Sequence, residues 1–394
     1  MTPLNNVRVI DLSRVVAGPY CTMTLGDMGA NVIKIEQPGS GDESRLFGPP
    51  FLGGESPYFL SINRNKRSCT INLKTTDGQQ ILKRLLKGAD VLVENFRPGT
   101  MQRLGFDYET VAKQHPRLIY CSISGFGDTG PDAGRAGYDL IVQGESGLMD
   151  LTGEVGGPPT RIGTSIADLT TGLMATQGIL LGLYARKDTG RGQYIKISML
   201  DAVTSLLTYN SGIYFASGNS PTRRGNDHPS VVPYQTFKAL DGWINIGIAN
   251  DILWERYCDA IARSDLKSDP RYSTAPARVT NRETLVPIIA ALTKIKTVQD
   301  WIDLLGEVGV PCGRIRTVAE ACTNPQLIQR GKIINKTHRT AGSIKMIAQP
   351  LELSDTPVNI ATTPPLLGEH TEDILREAGY ADTDIAHFRA IGVV

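Results

Sequence analysis

Short runs of β-branched and aliphatic residues recur along the first half of the chain and alternate with segments of helical length, and this alternation limits the fold more than any other feature. Val7–Leu12 reads as a strand, Pro19–Met28 as a helix and Asn31–Glu36 as a second strand, so the chain opens on a β-α-β unit. Cys69–Leu73, Val91–Glu94, Leu118–Ser124 and Tyr194–Ser198 follow as strands, and Asp77–Lys87 as an amphipathic helix. Strands that alternate with helices imply an α/β fold, and in an open α/β sheet ligands bind at the carboxyl ends of the strands. A dinucleotide fold would look similar, down to the acid Glu36. The turn after the first strand, however, reads Ala17-Gly18-Pro19-Tyr20 and lacks the G-x-G-x-x-G glycines that a pyrophosphate contact needs.

With 394 residues the chain is long enough for two or three domains and can bury deep sites. A formal net charge of +1, with no basic stripe interleaved with aromatics, argues against a nucleic-acid protein. Any anionic ligand must then be held by local positive groups. The six cysteines, Cys21, Cys69, Cys121, Cys258, Cys312 and Cys322, form no C-x-x-C pair, and the five histidines are dispersed. No metal site is indicated, and reduced thiols are expected. Met1 leads directly into a strand pattern with no basic and apolar leader, so a cytoplasmic location is expected.

Thr164 to Met174 places one acid, Asp168, at the mouth of an almost uncharged run. Leu169–Tyr184 reads as a buried helix whose glycines imply a second backbone packed close. It is too short for a membrane span, which takes about 20 apolar residues. In the first turn, free N–H groups and the helix dipole favour Asp168 as an ionised nucleophile. Ser165-x-x-Asp168 equally fits a capping box, in which the acid does no chemistry.

Asn63-Arg64-Asn65-Lys66-Arg67 is a dense cationic stretch, open to two readings: a solvated edge or a seat for phosphates. Arg97, in the loop Asn95–Gly99 after a strand, and Arg103 beyond it are well placed for a ligand. Gly125 to Gly137 reads as a flexible glycine loop, and Asp201–Phe215 as a helix. Composition shifts at 216–233, where Gly, Ser, Asn, Pro and Arg cluster, and this marks a linker. The expected division is 1–215 as the large domain, 234–330 as a small α/β domain and 331–394 as a C-terminal return. Within the small domain, Tyr234–Lys238 and Trp243–Ile248 read as strands, Ile252–Ala262, Arg282–Thr293 and Thr297–Val308 as helices, and Gly309–Gly313 as a sharp turn. Ile344–Pro357 looks extended and Thr371–Ala378 helical.

Together the motifs resemble the class III CoA-transferase family, which includes formyl-CoA and carnitine CoA-transferases and the 2-methylacyl-CoA racemases. The resemblance rests on Asp11-Leu12 with Ala17-Gly18-Pro19, Gly29-Ala30-x-Val32-Ile33-Lys34-Ile35-Glu36, Asn65-Lys66-Arg67-Ser68 and Val93-Glu94-Asn95-Phe96-Arg97-Pro98-Gly99. Asp168, Thr189-Gly190-Arg191-Gly192-Gln193, Gly309–Gly313 and Pro365–Thr371 complete it. It implies a Rossmann-like large domain plus a smaller α/β domain, in a homodimer whose chains thread through each other as linked rings. It also implies Asp168 as the nucleophile, acyl-CoA and small carboxylic acids as substrates, and no permanently bound cofactor. The implied CoA contacts are Val16, Ala17, Gln37, Ile71, Asn72, Leu73, Lys74, Asn95, Phe96, Arg97, Arg103 and Tyr138. Val16 and Gln37 depart from formyl-CoA transferase, which has an amide and an arginine there.

The racemase branch has a histidine in the segment Gly137-Tyr138-Asp139, and tyrosine is a poor acid and base at neutral pH, which favours transfer over racemisation. A binder of acyl-CoA without turnover is the alternative from another class. Around Ile246-Gly247-Ile248-Ala249 there is no counterpart of the glycine loop of formyl-CoA transferase, which argues against formyl and oxalate substrates. The pattern is most similar to the succinate–hydroxymethylglutarate (glutarate) branch, which implies succinyl-CoA as donor and a short dicarboxylate as acceptor. A second carboxylate needs a positive or multi-donor partner. Arg223, Arg224 and His228 are the candidates, unless they are ordinary linker charges.

Overall fold

In the computed structural model, which describes residues 1–394, the alternation in the sequence becomes β1 (Arg8–Asp11), α1 (Ala17–Asp27), β2 (Asn31–Glu36), α2 (Pro57–Ile62), β3 (Lys66–Thr70), α3 (Thr76–Leu86) and β4 (Val91–Glu94). Then come α4 (Thr100–Leu104), α5 (Tyr108–Gln114), β5 (Ile119–Ser124), α6 (Asp139–Glu145), α7 (Leu148–Leu151), α8 (Ile166–Thr189), β6 (Tyr194–Ser198), α9 (Met199–Thr204) and α10 (Thr208–Ser217). The six strands form one parallel sheet in the order β3-β2-β1-β4-β5-β6, the Rossmann order. In its register Val9 faces Val32 and Val91, and Val93 faces Cys121. Both faces are covered, so the central strands read as continuous apolar runs. One core layer gathers Ile10, Ile33, Leu82, Leu85 and Leu92, and the other Val9, Leu25, Val93, Ala175 and Ile179.

The chain falls into two compact units. The first comprises residues 1–149, 161–219 and 325–394, and the second residues 150–160 and 220–324. Residues 150–160, expected in the first domain, belong to the second. They are tied there by Gly225 N to Gly153 O at 3.0 Å and by the Arg223–Asp150 ion pair at 2.6 Å. The second unit is built on an antiparallel sheet of β7 (Tyr234–Lys238), β8 (Trp243–Gly247) and β9 (Cys312–Arg314). Its helices are α11 (Asp251–Ala260), α12 (Ser264–Ser268), α13 (Ala275–Thr280), α14 (Arg282–Thr293), α15 (Val298–Glu307) and α16 (Val318–Cys322). Phe237, Ile244, Trp254, Tyr257, Leu285 and Trp301 fill its core. The sharp turn expected at Gly309–Gly313 is real at Gly309, where φ is +70°, but Cys312 and Gly313 already pair with β8.

The C-terminal segment rejoins the first unit through α17 (Pro325–Gln329), the hairpin β10 (Ile333–His338) and β11 (Gly342–Ile347), α18 (Thr371–Glu377) and α19 (Asp382–Ala390). The Asn65 side chain accepts the N–H groups of Ala361 and Thr362 at 2.9 Å, and Asn72 N–H donates to Val393 O at 2.7 Å.

Two sequence expectations fail here. The third strand is Lys66–Thr70 rather than Cys69–Leu73, because the cationic stretch is drawn into the sheet and its charges are neutralised internally. Lys66 is fully buried and bonds Asp11 at 3.1 Å, Pro19 O at 2.9 Å and Asn63 Oδ1 at 2.9 Å. Arg64 forks onto Asp27 at 2.7 Å. Neither residue is a solvated edge or a seat for phosphates, and Arg67 at the surface is bonded to Glu377. The long helix α8 is also buried on one face only. Ala167, Thr171, Gly172, Ala175, Thr176 and Ile179 pack inward, while Leu173 and Tyr184 are 52% and 68% exposed. At 24 residues it is longer than the sequence suggested and passes for a membrane span by length and composition. Its packing along α1, β5 and β6 is that of a core helix.

Candidate active site

Asp168 occupies the first turn of α8, and the helix start is capped without the Ser165 side chain. The Ser165 side chain makes no cap bond, so the capping box is not formed. Instead the Asp139 carboxylate, on the first turn of α6, accepts the Ala167 N–H at 2.9 Å. Its other oxygen accepts Gln143 Nε2 at 2.7 Å, and the fully buried Gln143 returns its carbonyl oxygen to the Ile162 N–H at 2.9 Å. Asp139 thus takes the capping role, and the Asp168 carboxylate is left with no hydrogen-bond donor and no ion pair from this chain.

That environment reverses one expectation. Burial first, and the Asp139 charge second, push the Asp168 carboxyl up to about 7, rather than holding it fully ionised. A carboxylate near neutrality, poorly solvated and unshared, is a good nucleophile once deprotonated.

α1 runs beside α8 with both N-termini at the same end. Gly172 lies so close to the Ala17 carbonyl that a Cβ there would stand 2.6 Å from its oxygen, which accounts for glycine one turn after Asp168. Leu169 packs with Val15, Val16 and Tyr20. Val16, the N-cap of α1, makes no side-chain cap bond; the Tyr20 N–H reaches Val16 O at 2.8 Å, Pro19 has no N–H, and the Ala17 and Gly18 N–H groups have no protein acceptor. Behind α6, Gly125 and Gly137 meet backbone to backbone, where a Cβ on Gly125 would fall 2.7 Å from the Gly137 Cα. This contact closes the loop expected to be flexible and sets Tyr138 and Asp139 beside the start of α8.

The loops after β1, β2, β3, β4 and β5 all emerge at the carboxyl edge of the sheet and carry the residues implied in CoA contact, except Ala17, which opens α1, and Arg103, which lies on α4. Val16 and Ala17 are buried, Gln37 and Lys74 are exposed, and Tyr138 is 68% exposed. Ile71 lies in the core, with Leu73 half-buried against it, so any ligand contact at Ile71 is through main chain. Asn72 Oδ1 accepts the Lys74 N–H at 3.2 Å. Asn95 spends its amide on Arg14, accepting its N–H and donating to its O, both at 2.8 Å. Phe96 lies under the Arg14 guanidinium, 5.0 Å from ring centre to Cζ, and Arg103 donates to Thr100 at 2.9 Å. Arg97 and Phe96 line a cavity of about 500 Å³ that continues along Ser122, Tyr194, Lys196 and Ser198. Asp168 does not line it. Glu94, buried at its base, is raised by that burial.

A profile described as CoA-transferase family III matches residues 4–371. The chain belongs to CoA-transferase family III. The mouse succinyl-CoA:glutarate CoA-transferase is 42% identical over 377 residues, covering 96% of this chain and 86% of that protein. The acetyl-CoA:oxalate CoA-transferase of Acetobacter aceti is 42% identical over 353 residues, covering 89% of each. Among solved structures, a CAIB/BAIF family protein from Brucella suis superposes with a TM-score of 0.86 at 40% identity, over 96% of this chain and 99% of that one.

As a family III transferase the chain is an enzyme that works on CoA thioesters. The candidate acyl-group residues Arg223, Arg224 and His228 all lie in the second unit. Arg223 is committed: it bonds Asp150 Oδ1 at 2.6 Å, Asp150 O at 3.0 Å and Gly157 O at 3.1 Å. His228 accepts the Ser230 N–H at 3.1 Å. Arg224 is exposed, with no side-chain partner. Sequence reasoning gave no role to Asp139 and passed over Gln143. The signal for Asp139 was its place beside Tyr138; for Gln143, one amide on a short helix, there was none.

Proposed function

We propose that this chain transfers CoA from succinyl-CoA to a short dicarboxylic acid such as glutarate, through covalent intermediates on Asp168. The observation that carries the chemistry is the Asp168 carboxyl: near neutrality, at a helix start, with its capping task taken over by Asp139. The dicarboxylate reading is supported by the relatives, since glutarate and oxalate, which their names give as acceptors, are both short diacids. The oxalate relative also counts against excluding oxalate on the missing glycine loop.

In the reaction, an Asp168 oxygen attacks the thioester carbonyl carbon, the C–S bond breaks, and CoA leaves as thiolate from a mixed anhydride. The thiolate attacks the aspartyl carbonyl, releasing succinate and leaving an aspartyl-CoA thioester. The acceptor carboxylate displaces the thiolate to form a new anhydride, and the thiolate then attacks the acceptor's carbonyl. This frees Asp168 and the new acyl-CoA. The N–H groups at the α1 start are suited to the oxyanions of these steps. Arg97, Arg103 and Lys74 would hold the CoA phosphates.

A homodimer, with chains interlocked as the family resemblance implies, is supported by apolar surface that one chain leaves uncovered. α10 buries no residue and exposes Ile213, Tyr214 and Phe215, and α8 exposes Leu173, Leu181 and Tyr184. A cytoplasmic location fits the six free cysteines. The test is incubation with succinyl-CoA and a panel of acids, read by mass. Glutaryl-CoA formation that Asp168→Ala abolishes is expected; an unchanged acyl-CoA mass with every acid, as racemisation or mere binding would give, rejects the reading.

A further inference from the structure

The loop between β1 and α1 contains a backbone conformation that its residue disfavours. Val15 has φ of +67°, in the left-handed region, where a β-branched side chain is an outlier. Such a conformation persists only where its surroundings over-determine it. Here they do. The Val15 N–H is shared between the two Asp42 oxygens at 3.1 and 3.3 Å. Asp42 in turn accepts Ser44 N and Ser44 Oγ at 2.9 and 2.8 Å and pairs with Lys34 Nζ at 2.8 Å, both of these ionic side chains being wholly buried. Lys34 also donates to the Ser13 carbonyl at 2.8 Å. Burial would raise the Asp42 carboxyl, but the Lys34 ammonium and the Ser44 donors outweigh it and hold it down to about 2, so the clamp stays charged.

What the clamp fixes is the next two residues. Val16 packs with Leu169, and the Ala17 carbonyl rests on Gly172, so the Val16–Ala17 main chain is seated against the first turn of the Asp168 helix. A charged pair sealed in this layer adds little stability over an apolar pair of the same volume. Its connections are therefore informative: one partner holds the Ser13 carbonyl and the other the Val15 N–H of a single loop.

We propose that the buried Lys34–Asp42 pair is a positioning device for the transfer reaction, holding Val15 left-handed so that the Val16–Ala17 main chain is fixed beside Asp168. This rests on the reading of Asp168 as nucleophile. Neither Lys34 nor Asp42 touches the reacting atoms. The pair acts through Val15 on the attack step, in which a bond forms from an Asp168 oxygen to the thioester carbonyl carbon and the C–S bond breaks.

The test uses the full chain with succinyl-CoA and glutarate. Asp42→Asn is expected to lower kcat about ten-fold or more while KM for succinyl-CoA changes by less than about two-fold, because the main-chain geometry beside Asp168 is lost while Lys74, Arg97 and Arg103, on other segments, still hold the CoA phosphates. Adding Val15→Gly, which adopts positive φ without strain, is expected to bring kcat back to within about three-fold of wild type. A merely structural Asp42 would give no such rescue. If Asp42→Asn does not fold, as judged by circular dichroism, Ser44→Ala removes one donor and keeps the ion pair. It should lower kcat by about two- to five-fold, again reversed by Val15→Gly. Unchanged kcat in the folded variants, or a fall that Val15→Gly does not reverse, overturns the inference. Asp168→Asn assayed alongside tests the nucleophile separately: full transfer there overturns that reading, whatever Asp42 does.

Discussion

The Asp139 carboxylate accepts the Ala167 N–H at 2.9 Å and so caps, from another helix, the helix whose first turn carries Asp168. One acid does the structural task and its neighbour is left unbonded, available for the proposed attack. Asp139→Ala should lower stability by about 1 kcal/mol, as loss of an N-cap does. It should also slow acylation of Asp168, because the 162–168 segment loses its anchor to α6. Chemical denaturation and the rate of hydroxylamine trapping after succinyl-CoA addition measure the two effects. Wild-type values in both would show that the cap is idle.

The pH dependence follows from the Asp168 carboxyl near 7, raised by burial and then by Asp139. In the proposed reaction Asp168 attacks in its ionised form, so kcat/KM for acyl-CoA should rise with pH through about 7, and this profile reports the free enzyme. Asp139→Asn, which removes the neighbouring charge, should move the midpoint down. The same shift makes a stability prediction of fixed sign. The folded carboxyl binds its proton more tightly than the unfolded one, so stability falls as pH rises through the folded value. Above it, the desolvated carboxylate costs on the order of 1–3 kcal/mol. Asp168→Asn should therefore melt above wild type at pH 8, with the gap closing toward pH 5. An equal gap at both pH values would exclude the shift.

Much of this architecture was legible in the sequence, because short apolar strands set by period and turn chemistry need no tertiary information. Asn31–Glu36, Val91–Glu94 and Tyr194–Ser198 fall where they read. The failures at the basic stretch have one physical root, the partner of a charge. Nothing local shows that Lys66 meets Asp11 or Arg64 meets Asp27, so a basic stretch read as surface is sealed inside. Lys34 offered more, since a lysine amid Val32, Ile33 and Ile35 in a parallel strand must find a buried acid. For Asp168 the sequence placed the residue at its helix start but not its ionisation, which depends on Asp139 arriving from 29 residues earlier in the chain.

Two groups of basic residues should now separate by experiment. Arg97 lines the cavity after β4 and Arg103 lies on the helix that follows, so Arg97→Ala and Arg103→Ala should each weaken CoA binding about ten-fold at low salt, an effect that added salt partly mimics. Lys66→Met should instead lower stability, by about 3–5 kcal/mol, through the Asp11 charge it leaves buried and unpaired. Calorimetric titration with CoA and thermal melting distinguish them. Unchanged CoA affinity in both arginine variants would remove these residues from the binding site.

In the proposed reaction the acceptor's second carboxylate needs a positive partner, and the two candidate arginines of the second unit are in different states. Arg223 is held by Asp150 and by the Asp150 and Gly157 carbonyls, so its charge is already used in tying 150–160 to the strand-bearing part of that unit. Arg224, next in sequence and exposed, has its guanidinium free of protein partners. Arg224→Ala should therefore raise KM for glutarate about ten-fold or more while a monocarboxylate of similar length is little affected, since only the diacid leaves a charge unpaired. Arg223→Ala should mainly destabilise the second unit, with KM for both acids moving together. Steady-state kinetics on glutarate and valerate decide between the residues. Equal effects of Arg224→Ala on the two acids, or a wild-type preference for the monocarboxylate, would place the recognition of the second carboxylate elsewhere.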